Sequence, residues 1–409
     1  MKFKLNPYIL FLEKLFTVLS ILWTTGGDDL GFLALIAYPT SLFFLLVRWK
    51  ETIWKLIQEY FFWIYIGFLL ISTAWAADFG GSIYLNLKLL GTIIIGISFG
   101  IRYSTKEQLQ IAAWAFGIAI VLSIFYALFL PAKGLHIEGA WEGTWKGIYS
   151  HKNVLGRNMV LSTLIFYLQA ISCKQYKSLM WIGVFLSFTL MILTTSATSL
   201  VMALTLLLLF PLYQALRWSI SWLIPFLSMV VFSSGVAILF VVSQLESILF
   251  ALGKDLTLSG RIPLWELIIN KISERPWFGY GYGGFWESGW NGPVGDIWRN
   301  YEVWEVGGAH NGLLDIWLAV GLVGVIFSVI VFITVFFRSL MYLRWTKSAD
   351  GIWSLWFLTM LVLSNMTEST FDTRSIMWVF FSAIVISTHR KTINLYDFRD
   401  IQSQSRLIS

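Results

Sequence analysis

Residues 310–337 read HNGLLDIWLAVGLVGVIFSVIVFITVFF, with Asp315 as the single charge. The run exceeds the ~20 mostly apolar residues that a helix needs to cross the hydrocarbon of a bilayer. Runs of the same kind recur at 8–25, 30–47, 56–75, 83–101, 109–130, 154–172, 178–195, 199–216, 220–242, 351–366 and 374–388. The first, which holds Glu13 and Lys14, and the last two, which are short, are the weakest. A chain made of such runs is expected to be all-α: a single polytopic membrane helical bundle of about twelve transmembrane helices.

Composition agrees. Of 409 residues, 57% are hydrophobic and 13% charged, and the mean hydropathy is +0.72. A soluble domain carries about 25% charge, so this chain has too few polar side chains to cover a wetted surface. Its 22 Trp, 33 Phe and 16 Tyr suit the two membrane interfaces. The net charge of +6 comes from short clusters between apolar runs, which is an orientation signal and not a nucleic-acid stripe. A single Cys173 excludes an internal disulfide, and without Cys/His clusters at ligand spacing neither a metal nor a cofactor is expected. The N-terminal stretch lacks a small-residue cleavage site and reads as a retained first span.

The charges fix an orientation. One alternate set of connections holds Lys2, Lys4, Arg48, Lys50, Lys55, Arg102, Lys106, Lys174, Lys177, Arg217, Arg338, Arg344, Lys347, Arg390, Lys391, Arg399 and Arg406. The short loops of the other set hold Asp28, Asp29, Asp78, Glu368 and Asp372 against Arg374 alone. By the positive-inside rule both termini are cytoplasmic. The two long connections, 131–153 and 243–309, then fall outside, and the periodicity of Ile262–Ile272 predicts a short helix within the larger loop.

Charges at the ends of apolar runs are costly and become functional candidates. Lys88, Arg157 and Asp315 all fall near the outer ends of their spans, where the structural alternative is snorkelling or an ion pair. The first long loop ends in Ser150-His151-Lys152-Asn153-Val154-Leu155-Gly156-Arg157 at a helix start, a setting that suits a phosphate, or as a polar cap meets lipid headgroups. The second offers Ser259-Gly260-Arg261 and Arg275-Pro276-Trp277-Phe278-Gly279-Tyr280-Gly281. The guanidinium fork binds phosphate in bidentate fashion. The glycines there read as a tight turn and not as a nucleotide loop, since no strand–helix pattern follows. Gly321 and Gly324 lie 11 and 14 residues beyond His310-Asn311, which on a continuous helix returns them to nearly the histidine's face. His310 is expected at the mouth of a closely packed helix, suited to take a proton from a substrate hydroxyl.

In this order the motifs resemble the O-antigen ligase and polysaccharide polymerase superfamily of bacterial inner membranes, over residues 145–330. The His-Lys-Asn-x-Leu-Gly string is similar to the exopolysaccharide-polymerase branch. The resemblance implies a metal-independent, inverting glycosyl transfer on the outer (periplasmic) side of the inner membrane. It implies an undecaprenyl-pyrophosphate-linked glycan as donor, a second lipid-linked glycan or lipid A core as acceptor, and other polysaccharide-assembly proteins as partners. Arg261 would contact the pyrophosphate and His310 would act as base or position the acceptor. His151, Lys152, Asn153, Arg157, Lys88, Arg275 and Asn311 would bind substrate. Ligases carry an arginine near the turn that reads Thr194-Thr195-Ser196-Ala197-Thr198-Ser199 here; this sequence has none, which favours a polymerase and leaves Lys88 or Arg157 as substitutes. The competing class is a transporter or flippase of a polar solute, which would place its charges near the bilayer midplane in repeated halves.

Overall fold

A computed structural model describes residues 7–243, 260–301, 306–369 and 375–388. Several charges that set the expected orientation lie outside the described residues: Lys2, Lys4, Asp372, Arg374, Arg390, Lys391, Arg399 and Arg406. Ser259 lies outside them too. The described chain is helical, with an isolated bridge between Leu135 and Trp145.

Every apolar run falls on helix. In order these are α1 (Pro7–Thr24), α2 (Ala34–Val47), α3 (Trp49–Gln58), α4 (Tyr60–Ile71), α5 (Phe79–Arg102), α6 (Thr105–Phe129), α7 (Lys152–Ser172) and α8 (Lys177–Leu193). There follow α9 (Ala197–Leu208), α10 (Ile220–Ser243), α11 (Arg261–Glu274), α12 (Pro293–Asn300), α13 (Gly312–Trp345), α14 (Trp353–Asn365) and α15 (Ile376–Thr388). Among the described residues, six helices are long and apolar enough to cross a membrane, or seven if α3 and the helix that follows, bent by 88° at Glu59, form one span. The apolar stretches at α8, α10 and α15 are shorter. Helix α15 is short without penalty, because it is buried on every side, with Trp378 and Phe380 fully enclosed. Gly96 and Gly100 of α5 admit it: a Cβ would come within 2.5 Å of the Val379 carbonyl at the first and 2.8 Å of the Ala383 carbonyl at the second.

Two charges inside apolar runs are paired rather than free. Glu13 of α1 meets the Arg102 guanidinium, and the Tyr103 hydroxyl donates to it at 3.1 Å. Arg338 grips Glu59 at 2.7 and 2.9 Å, at the corner where α3 turns into α4. A buried charge without its partner would be uncompensated.

The connections sort into two ends. At one, Arg217 donates to the carbonyls of Leu343, Lys347 and Ser348, and Gln169 to that of Lys106. At the other, Lys133 meets Asp29 at 2.8 Å, Asp28 N–H donates to Ile148, and Ala77 N–H donates to Tyr280. The segments 131–151, 260–301 and 306–311 therefore share an end with the short acidic loops.

The long helix corrects one expectation. Helix α13 is not continuous: Gly321 has φ 66° and ψ −173°, and the helix breaks there. The 11- and 14-residue offsets from His310 thus do not define one helical face. The Arg275–Gly281 segment repairs the break. Leu322 N–H donates to the Pro276 carbonyl at 2.8 Å, Val323 N–H to Trp277 at 3.2 Å, and Tyr280 N–H reaches Leu318 at 3.0 Å. Two donors and one acceptor stranded by the break are satisfied across the chain, as buried backbone must be.

Candidate functional site

The site is built around a residue that sequence reasoning placed only as an outer-loop charge. Glu368, just after α14, accepts from Asn153 Nδ2 at 3.1 Å, lies 3.4 Å from Arg261 Nη2, and holds His310 Nδ1 at 3.2 Å. Three motifs spread over the chain converge on one carboxylate.

Each partner is held by its own element. Asn153 sits in the first turn of α7, capped by the His151 ring, whose Nδ1 accepts from Asn153 N–H at 3.1 Å. His136 Nε2 accepts from Lys152 N–H at 3.2 Å, so two imidazoles serve consecutive donors at this helix start. Arg261 opens α11 directly after Gly260, whose φ of 83° suits glycine. His310 has φ 49°, a left-handed conformation uncommon outside glycine. Its neighbour is braced: Ala309 N–H donates to Asp315 at 3.0 Å, and the Ala309 carbonyl accepts from Trp265 Nε1 at 2.9 Å. Asp315 also accepts from Ser369, the residue beside Glu368. One half-buried carboxylate therefore fixes the neighbours of both members of the His310–Glu368 pair. Asn311 Oδ1 caps α13 by accepting from Leu313 and Leu314 N–H.

Burial acts to raise the Glu368 pKa, but the hydrogen bond to His310 and the positive field of His310, Arg157 and Arg261 outweigh it, so it stays below the usual carboxylate value. Glu368 is therefore ionised at neutral pH. In the neutral tautomer that carries its hydrogen on Nδ1, His310 would donate to the ionised Glu368 and keep the lone pair on Nε2, the arrangement a general base requires. About a third of the His310 side chain stays accessible.

Lys88 and Arg157 meet elsewhere at the same end. They line a cavity of about 610 Å³ together with Asn158, Ser150, Tyr84 and Asp28. Lys88 lies over the Tyr84 ring at 3.9 Å. Asn158 is 2% exposed; its amide donates to Thr25 and Val154, and its Oδ1 has no hydrogen-bond partner among the described residues. Lys152 takes a third position: its Nζ lies 3.2 Å from Thr195 Oγ1, on the turn that lacks an arginine. Arg275 does not join the cluster. It is exposed at the end of α11, with its guanidinium over the Tyr280 ring at 4.8 Å.

Membrane-length helices with charged and imidazole groups gathered at one end define a multi-pass membrane protein. Residues 182–329 match the family model described as O-antigen ligase. Over 97 residues the chain is 33% identical to the "Exopolysaccharide production protein ExoQ" of Rhizobium meliloti (strain 1021), covering 23% of this chain and 22% of that relative. The two matches support the O-antigen ligase/polymerase superfamily for this chain. The alignment with the curated relative spans only about a fifth of its length. Arg261, Arg275, His310 and Gly321 lie inside the family match, whereas Lys88, the 151–157 cluster and Glu368 lie outside it.

Proposed function

We propose that this protein is a glycan polymerase or ligase of the bacterial inner membrane, working on the face away from the cytoplasm with an undecaprenyl-pyrophosphate-linked donor. The observation that carries the reading is the convergence of Asn153, Arg261 and His310 on Glu368. The gathering of the acidic and long connections at one end, opposite the basic ones, supports the orientation with cytoplasmic termini.

In the reaction, His310 Nε2 removes the proton from an acceptor sugar hydroxyl while Glu368 stabilises the imidazolium that forms. The hydroxyl oxygen attacks the donor's anomeric carbon from the face opposite the pyrophosphate, so configuration inverts. The bond from that carbon to the phosphate oxygen breaks, and its electron pair leaves with the pyrophosphate. Arg261 offsets the charge that develops there, with Lys88 and Arg157 in the large cavity and Lys152 at the Thr195 turn holding the phosphates. Pyrophosphate is a good leaving group, so the step needs no metal. Polymerisation is favoured over ligation by the His151–Gly156 string and by the exopolysaccharide role that the relative's name states. A lipid-linked or lipid A core acceptor reaches the site from the bilayer, and other polysaccharide-assembly proteins are its natural partners.

A deletion strain tests the reading. Short or missing surface polysaccharide with accumulated lipid-linked repeat units is the expected result. Unchanged polymer with altered solute uptake would point to a transporter instead.

A further inference from the structure

A second cavity, of about 280 Å³, is lined by neighbours of the site residues and shares no lining residue with the first. Ser369 lines it, one residue beyond Glu368, as do Gly308 and Asp315. Its chemistry differs from that of the larger chamber. Among the described residues its lining contains no Lys, Arg or His, while the partly exposed Tyr282 and Trp286 supply aromatic surface and Glu287 a carboxylate. A pyrophosphate would find no cation there. A sugar ring would find what it needs: aromatic faces for its C–H surface and a carboxylate acceptor for its hydroxyls. The volume falls just below the roughly 300–1,000 Å³ of drug-sized ligand sites and suits about one ring.

We propose that this cavity is the acceptor subsite: it takes the terminal sugar of the glycan whose hydroxyl His310 deprotonates, with Trp286 and Tyr282 as stacking faces and Glu287 accepting from its hydroxyls. The inference rests on the glycan-transfer reading and deepens it. Its strongest support is a shared atom. Asp315 Oδ1 accepts from Trp286 Nε1 at 2.8 Å and from Ala309 N–H at 3.0 Å. One oxygen thus sets the indole's orientation relative to the backbone that presents His310, so a ring stacked on Trp286 is registered against the base. Such preorganisation is what a bimolecular transfer requires of its acceptor. Tyr282 is anchored as well, its N–H donating to Ser72 Oγ at 2.9 Å.

The test uses the full-length protein in nanodiscs and two probes: inorganic pyrophosphate, and the repeat-unit oligosaccharide released from the host's lipid carrier by mild acid and fluorescently tagged at its reducing end. Wild type should bind both. Trp286→Ala and Glu287→Gln should each weaken oligosaccharide binding at least tenfold and leave pyrophosphate binding unchanged. Because Trp286→Ala also removes a hydrogen bond to Asp315, the exposed Glu287→Gln serves as the variant that keeps the fold. No oligosaccharide binding by wild type, or wild-type binding by Glu287→Gln and Trp286→Ala together, overturns the subsite. A His310→Ala variant separates the two levels. If it binds both probes yet makes no polymer, transfer at His310 stands whatever becomes of the subsite; if it makes normal polymer, both readings fall.

Discussion

Glu368 Oε2 stands 3.2 Å from Nδ1 of His310, across 58 residues of chain. In the proposed transfer, the carboxylate fixes which ring nitrogen carries the proton, and its charge offsets the imidazolium that forms. Glu368→Gln keeps the size and removes both effects. We expect the transfer rate to fall by roughly 10²–10⁴-fold, the range of a positioned acid–base group, with Glu368→Asp intermediate. Incorporation of labelled lipid-linked repeat units by purified protein measures this. A wild-type rate for Glu368→Gln would remove the pair from the chemistry.

The break in α13 gives a second prediction. Gly321 occupies a backbone region that is nearly glycine-only, and a Cβ there would run into the Trp277 carbonyl and Phe278 amide. Gly321→Ala should destabilise the protein by about 1–3 kcal/mol or more. Gly67→Ala, where a Cβ meets open space, is the control and should be neutral or mildly stabilising. Thermal unfolding in detergent compares them. Equal midpoints would mean that the kink is dispensable.

The contrast between these two sites shows what the sequence could carry. The apolar runs were legible because hydrocarbon demands them, and each falls on helix. The motif at 151–157 was legible as cations, an imidazole and an amide gathered at a helix start, Arg261 as a guanidinium in the long loop, and His310 by its spacing to Gly321 and Gly324. Glu368 was not, because a carboxylate in a short polar loop is ordinary until the fold brings Asn153, Arg261 and His310 to it. The Gly321 break was missed for a related reason: angular arithmetic along a helix assumes a continuous helix, and the Pro276 and Trp277 carbonyls that make the break tolerable lie far upstream of it, well beyond the roughly 11–18 residues over which periodicity is read. The one signal available was the glycine-rich aromatic segment at 275–284, which packs on that break.

Lys152 is expected to serve the turn that lacks an arginine. Its Nζ lies 3.2 Å from Thr195 Oγ1, and Thr195 itself has φ 53°. Lys152→Met should raise the donor concentration needed for half-maximal rate by about tenfold, the worth of one ~1.4 kcal/mol contact. Lys152→Arg should restore most of it. If Met and Arg variants behave alike, the charge at this turn has no part in donor binding.

The last prediction concerns pH. His136 and His151 each accept a backbone N–H at the start of α7, so each must be unprotonated at that nitrogen. Burial foremost, then neighbouring positive groups, holds both imidazoles below their ordinary value of 6.5: Lys146 and Lys152 act on His136, and His136, Lys152 and His310 on His151, where Glu368 opposes them. A depressed folded-state value means that the unfolded chain binds the proton more readily. The stabilisation is therefore complete above 6.5 and is lost as pH falls from there through the depressed values. Wild type should lose thermal stability between about pH 7 and pH 5. His151→Asn keeps an oxygen that can cap Asn153 N–H but cannot titrate, so its stability should fall less over the same range. The loss of one cap is worth about 0.5–2 kcal/mol, enough to register as a shift in midpoint. Parallel pH profiles for the two proteins would show that His151 does not carry the dependence. A flatter profile for His151→Asn would place acid sensitivity at the helix start that presents Asn153 to Glu368.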